Sequence, residues 1–150
     1  MNIRSVFDVA LYLLSKNGNN TMSAMKLQKL CYYAQAWSLV WDDKPIFRGR
    51  IEAWANGPVC PELYRAHRGM FEVDPSTFAD KGSPDGFSDD EQETMNEVFN
   101  YYGSRSPYWL SELTHGEEPW KIARKDLEPG DCGNVEITHA AMVEYYSALV

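Results

Sequence analysis

The sequence predicts a mainly α-helical single domain over residues 1–150, with roughly five to seven helices and one minor β-hairpin. Three observations carry that prediction. Residues 23–41 place apolar side chains around most of a helical circumference, the pattern of a buried central helix. Cap signatures followed by helical stripes recur further on, at Ser88-Asp-Asp-Glu91 and at Thr138. Only residues 46–54 alternate in the manner of strands, and weakly.

The elements follow in order. Val6, Val9, Ala10, Leu13 and Leu14 share one face of a first helix from about Arg4 to Ser15, and Asn17-Gly18-Asn19-Asn20 ends it. The central helix begins near Ser23, with Thr21 as a competing cap; with Ser23 as the cap, Met22 and Leu27 occupy the two positions of a hydrophobic staple. Leu27, Leu30, Ala34, Trp37 and Trp41 form its main stripe, and Met25, Tyr32, Ala36 and Leu39 line the opposite side. At about 1.5 Å per residue it is about 28 Å long, enough to cross a domain of this size. Asp42-Asp43-Lys44-Pro45 stops it. Ile46-Phe47 and Arg50–Trp54 are expected to pair around Arg48-Gly49, and Asn56-Gly57-Pro58 to turn.

Pro61 suits a first helical position, opening a short helix to about His67. Residues 71–87 carry turn formers and little periodicity and read as the longest loop. The Ser88–Glu91 capping box then starts a helix whose face is Met95, Val98, Phe99 and Tyr102, ended by Gly103. Ser106-Pro107 opens another to about Leu113, and Pro119-Trp120 lies in a further turn or two reaching about Lys125. In the last helix, after Thr138, the core face is Met142, Tyr145, Tyr146 and Leu149.

Composition bounds the function classes. A chain of 150 residues can bury a core without staples. A net charge of −8 argues against general nucleic-acid affinity, which rests on neutralising phosphates, and suits a basic protein partner. Three cysteines make no disulfide framework, so a reducing, cytoplasmic setting is expected. No apolar run approaches the roughly 18 residues of a membrane span, and no signal-peptide pattern opens the chain.

Catalytic and ligand motifs are missing. Cys60 and His67 lie seven apart, but a zinc site needs three or four ligands, usually in tight pairs; a core thiol and a surface or capping histidine are the expected roles. Ser111, His115 and Asp131 can be drawn as a triad, yet nothing resembles a nucleophile elbow. Glu117 and Glu118 are adjacent, so on a helix they point apart. No glycine-rich phosphate loop occurs. A non-enzyme without cofactor or metal is therefore expected. The 13% aromatic content is the remaining signal. Its simplest reading is core packing, chiefly for Trp37, Trp41, Tyr145 and Tyr146. Trp54, Tyr64, Tyr108 and Trp109 sit at turns or on short elements, and interface anchors are drawn from Trp, Tyr and Arg. Arg48, Arg50, Trp54, Arg65, Tyr108 and Trp109 are the candidate partner-binding residues.

Three blocks carry a family resemblance. The first is Lys26-Leu27-Gln28-Lys29-Leu30-Cys31-Tyr32-Tyr33, continuing to Trp37. The second runs from Glu52 through Trp54, Gly57-Pro58-Val59 and Pro61 to Tyr64, and the third is Leu113-Thr114-His115-Gly-Glu-Glu-Pro119-Trp120. Together they resemble the Panacea domain, the family that includes the SocA-type antitoxins of bacterial and phage toxin–antitoxin systems. The resemblance implies a helical domain that neutralises a toxin, encoded by an adjacent gene, by direct protein contact. It leaves open an alternative: a phage or mobile-element adaptor or scaffold, including delivery of a bound partner to a protease. Many relatives carry an added N-terminal helix-turn-helix; none is expected here, because the likeness begins near residue 5. The signature residues are expected to be mostly structural. Lys26 and Lys29 are expected to be tied by acceptors of the Gly57-Pro58 loop or by carboxylates. Specificity is expected in residues 71–87 and 104–116.

Overall fold

A computed structural model describes residues 4–150; the first three residues of the predicted domain lie outside it. The first helix, α1 (Val6–Lys16), is started by Ser5 in a capping box with Asp8 and packs against the central helix α2 (Ala24–Trp41). Ser23 caps α2 by accepting from the Lys26 amide. Fourteen of its eighteen residues are buried, so the predicted central helix is observed. It meets α5 (Asp89–Tyr102) and α8 (His139–Ser147) most extensively. A helix surrounded by partners needs apolar atoms on nearly every side, which is why its pattern shows no single stripe.

Two small antiparallel pairs complete the frame. β1 (Met22–Ser23) pairs with β4 (Glu72–Val73), and β2 (Glu52–Trp54) with β3 (Gly57–Val59), with Ala53 opposite Pro58. The expected hairpin is therefore present but displaced: its turn is Ala55-Asn56, not Arg48-Gly49. Gly57, at φ +122°, supplies a conformation that a side-chain-bearing residue rarely adopts. On the other side of β2, the Ala53 amide donates to the Val135 carbonyl at 2.9 Å and the Ile137 amide to the Ile51 carbonyl at 2.8 Å.

Residues 46–47 are instead captured by a glutamine of α2. The Gln35 carboxamide accepts from the Ile46 amide at 2.8 Å and donates to the Phe47 carbonyl at 2.9 Å. Two turns earlier Gln28 does the same for Cys60, accepting from its amide at 2.8 Å and donating to its carbonyl at 3.2 Å. Both amide side chains imitate a strand neighbour, so the backbone groups they serve are satisfied inside the core.

The remaining helices are α3 (Pro61–His67), α4 (Pro75–Phe78), α6 (Pro107–His115) and α7 (Glu118–Ala123). The stretch 71–87 is not one loop: β4 and α4 lie inside it, α4 held by a capping box between Asp74 and Thr77. The capping box at Ser88, the stop at Gly103 and the cap at Thr138 stand as expected. Two core assignments differ: Trp41, at the end of α2, is 46% exposed and Leu149 is exposed, while Met25, Phe99 and Tyr145 are partly buried. Among the described residues no helix is long and apolar enough to cross a membrane.

Candidate partner-binding site

The signature residues meet at one point beneath the β2–β3 turn. Lys29 is fully buried on the side of α2 that faces β3. A Cβ on Gly57 would stand 2.4 Å from Lys29 Cε and 3.0 Å from Thr114 Oγ1. The glycine thus permits the lysine stem, the turn and the end of α6 to close on one another. Thr114 is itself buried and donates to the Ser111 carbonyl at 2.7 Å. His115 stacks on Trp120, ring centroids 4.1 Å apart.

The expected tie for Lys29 is not formed. Its ammonium packs against Gly57 but finds no hydrogen-bond partner among the described residues, and neither does the buried Nε2 of His115. Burial pushes the Lys29 amine down to about 7 and, less far, lowers the His115 imidazole and the Lys26 amine. His67 is not a surface residue as expected: it is buried, and its Nε2 takes a 3.0 Å hydrogen bond from Gln28 Nε2. That geometry makes Nε2 the acceptor and so the imidazole neutral, in keeping with a pKa lowered by burial.

A second buried cluster joins the first and third blocks. Glu117 accepts from the Tyr33 and Tyr146 hydroxyls, each at 2.7 Å, while the Tyr32 and Tyr146 hydroxyls lie 3.0 Å apart. Tyr33 stacks on Tyr102 at 4.0 Å, and Trp37 donates from Nε1 to the Tyr102 hydroxyl at 2.9 Å. Burial raises the Glu117 carboxyl above its ordinary value, against the lowering effect of the two tyrosine hydrogen bonds.

Outside this knot lies an open groove of about 620 Å³, lined mainly by Met25, Trp54, Val59, Tyr64 and the segment Cys132–Asn134. Trp54 meets Tyr64 edge to face at 4.9 Å and donates from its indole to Glu52 Oε1 at 2.9 Å. Buried Arg124 fixes the far wall. Its guanidinium donates to the carbonyls of Ala53 at 2.9 Å, Asp131 at 2.7 Å and Glu128 at 3.3 Å, and sits over the Trp120 ring. Among the described residues no group of three or more His, Cys, Asp or Glu is placed to hold a metal ion.

The candidate binding residues fall in two places. Trp54 lines the groove, and Arg50, exposed beside it, pairs with Glu52 at 2.7 Å and Glu136 at 3.3 Å. Arg65 is exposed on α3, next to Tyr64. Arg48 is exposed at the start of the same arm, its amide bonded to the Arg4 carbonyl. Tyr108 and Trp109 open α6 elsewhere, with Arg105 over the Trp109 ring; among the described residues none of their aromatic or hydrogen-bond contacts reaches Trp54. Gln28, Gln35, Glu117 and Arg124 were not singled out in the sequence as functional. Polar side chains inside an otherwise apolar helix were the available signal for the two glutamines.

A family model described as "Antitoxin SocA-like, Panacea domain" matches residues 27–121, which include the central helix, the hairpin and the third block. The chain belongs to the SocA-like Panacea family. It is similar to Antitoxin SocA of Caulobacter vibrioides (strain NA1000 / CB15N), with 46% identity over 44 residues. That stretch is 29% of this chain and 23% of the relative, so the likeness spans under a quarter of that protein's length. No solved structure matches. Within this Panacea domain, the first two blocks build the Lys29–Gly57 knot and the third closes it through Thr114 and His115.

Proposed function

We propose that this protein is an antitoxin that neutralises a cognate toxin, encoded by an adjacent gene, through direct protein contact in the cytoplasm. The observation that carries the reading is the match to the SocA-like family over most of the fold, with the signature residues Lys29, Gly57 and Thr114 turned inward. Lys29, Thr114 and Gly57 are buried, so they set the frame, while Trp54, Arg50 and Arg65 stand on what the frame displays. Side chains of these types, around a groove with an aromatic wall, are those that anchor protein partners. Residues 71–87 and 104–116 supply the specificity, since both stretches carry exposed side chains, Phe71 and Tyr108 among them.

Co-expression with the adjacent gene's product tests the reading. Growth is expected to be restored by this chain and lost again with Trp54→Ala combined with Arg65→Ala. Continued growth arrest alongside folded, soluble protein would overturn the proposal. A stable complex that leaves the toxin active would point to an adaptor.

A further inference from the structure

The aromatic surface is most out of place at the far end of α2. Trp41 follows a helix that is buried almost throughout, stacks on Trp37 at 4.8 Å, and still leaves 46% of its surface in solvent. Its indole forms one wall of a slot of about 290 Å³ between α2 and α5, completed by Asp42, Asp90, Glu93, Thr94 and Glu97. Thr94 is the buried floor and donates to Asp42 Oδ2 at 2.7 Å. Glu93 and Glu97 are exposed and one turn apart, so they stand on one stripe of α5; the exposed Tyr101 continues that stripe by a further turn.

Two features distinguish this slot from an ordinary solvated face. Acidic residues in a first helical turn answer the helix dipole, which accounts for Asp89, Asp90 and Glu91. The dipole's effect fades within that turn, so it does not account for Glu93 and Glu97. No lysine or arginine occurs anywhere in α5, and among the described residues none pairs with Asp90, Glu93 or Glu97; the one nearby ion pair is Lys44 with Glu91 at 3.8 Å. The indole is an independent observation. It carries no charge, yet its face favours a cation through the ring quadrupole and is favourable for burial by an alkyl stem.

We propose that this slot is a docking site for an arginine or lysine side chain from a basic segment of a partner protein, with the cation over Trp41 and the α5 carboxylates around it. The commitment to a basic occupant rests on charge complementarity: in a chain of net charge −8, four carboxylates, Asp42, Asp90, Glu93 and Glu97, line a slot whose other wall is an indole. The slot is the right scale for one side chain, not for a folded element, so the partner contributes a protruding residue. Extending this to the toxin rests on the antitoxin reading above; the chemistry of the slot does not.

The test therefore has two arms. In the first, a hexa-arginine peptide is titrated into the protein at low salt and followed by tryptophan fluorescence. Wild type is expected to bind, and both Trp41→Leu and the pair Glu93→Gln with Glu97→Gln to bind about tenfold more weakly. The glutamine pair lies on an exposed face and keeps the fold, which circular dichroism verifies, so loss of binding there is not a folding effect. No binding by wild type, or equal binding by all three proteins, overturns the slot. In the second arm, Glu93→Lys with Glu97→Lys is co-expressed with the adjacent gene's toxin. Loss of rescue, with wild type still rescuing, supports the toxin as the slot's occupant; undiminished rescue overturns it. If wild type itself fails to rescue, the antitoxin reading falls, while the peptide arm still decides the slot.

Discussion

Lys29 and Glu117 are both buried in this core, and they are accommodated in opposite ways. Glu117 keeps its carboxylate between two tyrosine hydroxyls, each 2.7 Å away. Lys29 keeps its ammonium against Gly57 with no hydrogen-bond partner among the described residues. A buried charge costs several kcal/mol unless it is paired and hydrogen-bonded, and otherwise the group tends toward its neutral form. Both groups are displaced in that direction: the carboxyl is raised and the amine is lowered to about 7. The contrast shows that the core satisfies its acid and shapes itself around its base.

Substitution at Gly57 should break the lysine side of this contrast most completely. Gly57→Ala places a methyl 2.4 Å from Lys29 Cε and asks a non-glycine residue for φ +122°. A loss of about 3 kcal/mol or more is expected in urea unfolding. The acid is next. Glu117→Leu leaves the hydroxyls of Tyr33 and Tyr146 without their acceptor and should cost about 2–3 kcal/mol, measured the same way.

Lys29→Met should act in the other direction. It keeps the apolar stem and removes the unpaired ammonium, so about 1–3 kcal/mol of added stability is expected at pH 6. The pH dependence follows from linkage. Below about 7 Lys29 is protonated both folded and unfolded, and the full cost of burying the charge is present. Between about 7 and its ordinary value of 10.5 the folded state holds fewer protons than the unfolded one, so wild-type stability rises with pH. The advantage of the methionine variant therefore shrinks across that window, which chemical denaturation at pH 6, 8 and 10 would reveal. Glu117 slopes oppositely: with its folded value raised above 4.5, its contribution falls as pH rises through that value. The smallest effect is expected at the surface. Tyr108→Ala removes a side chain that is 74% exposed and should change stability by less than about 0.5 kcal/mol, leaving any loss of rescue attributable to binding.

How far the sequence could be read follows the same division. Periodicity and caps were legible because they are local: Ser23, Ser88 and Thr138 each act on the amide three residues on. The displaced hairpin was not, because Gln35 lies eleven and twelve residues from the amides it captures. Arg124 reaches 71 residues back to Ala53, a contact that no spacing rule proposes. Trp41 continues the apolar stripe of α2 perfectly well in one dimension and is exposed because α5 turns carboxylates toward it. The candidate site divides likewise: Trp54 and Tyr64 meet within one local stretch, across β3 and the start of α3, whereas the groove they line closes only through Cys132–Asn134.

The two glutamines of α2 carry a consequence for motion. Gln28 and Gln35 are separated by seven residues, about 10.5 Å along the helix, and hold the arm that carries the hairpin at Cys60 and at Ile46-Phe47. The arm is thus fastened at both ends to one rigid rod, and its fluctuations are confined to the segment between the two anchors. The amide protons of Ile46 and Cys60 should exchange with solvent deuterium as slowly as those of the central helix, while those of Arg50 and Asn56, both exposed, exchange early. A partner that grips the hairpin would then be holding the middle of the molecule.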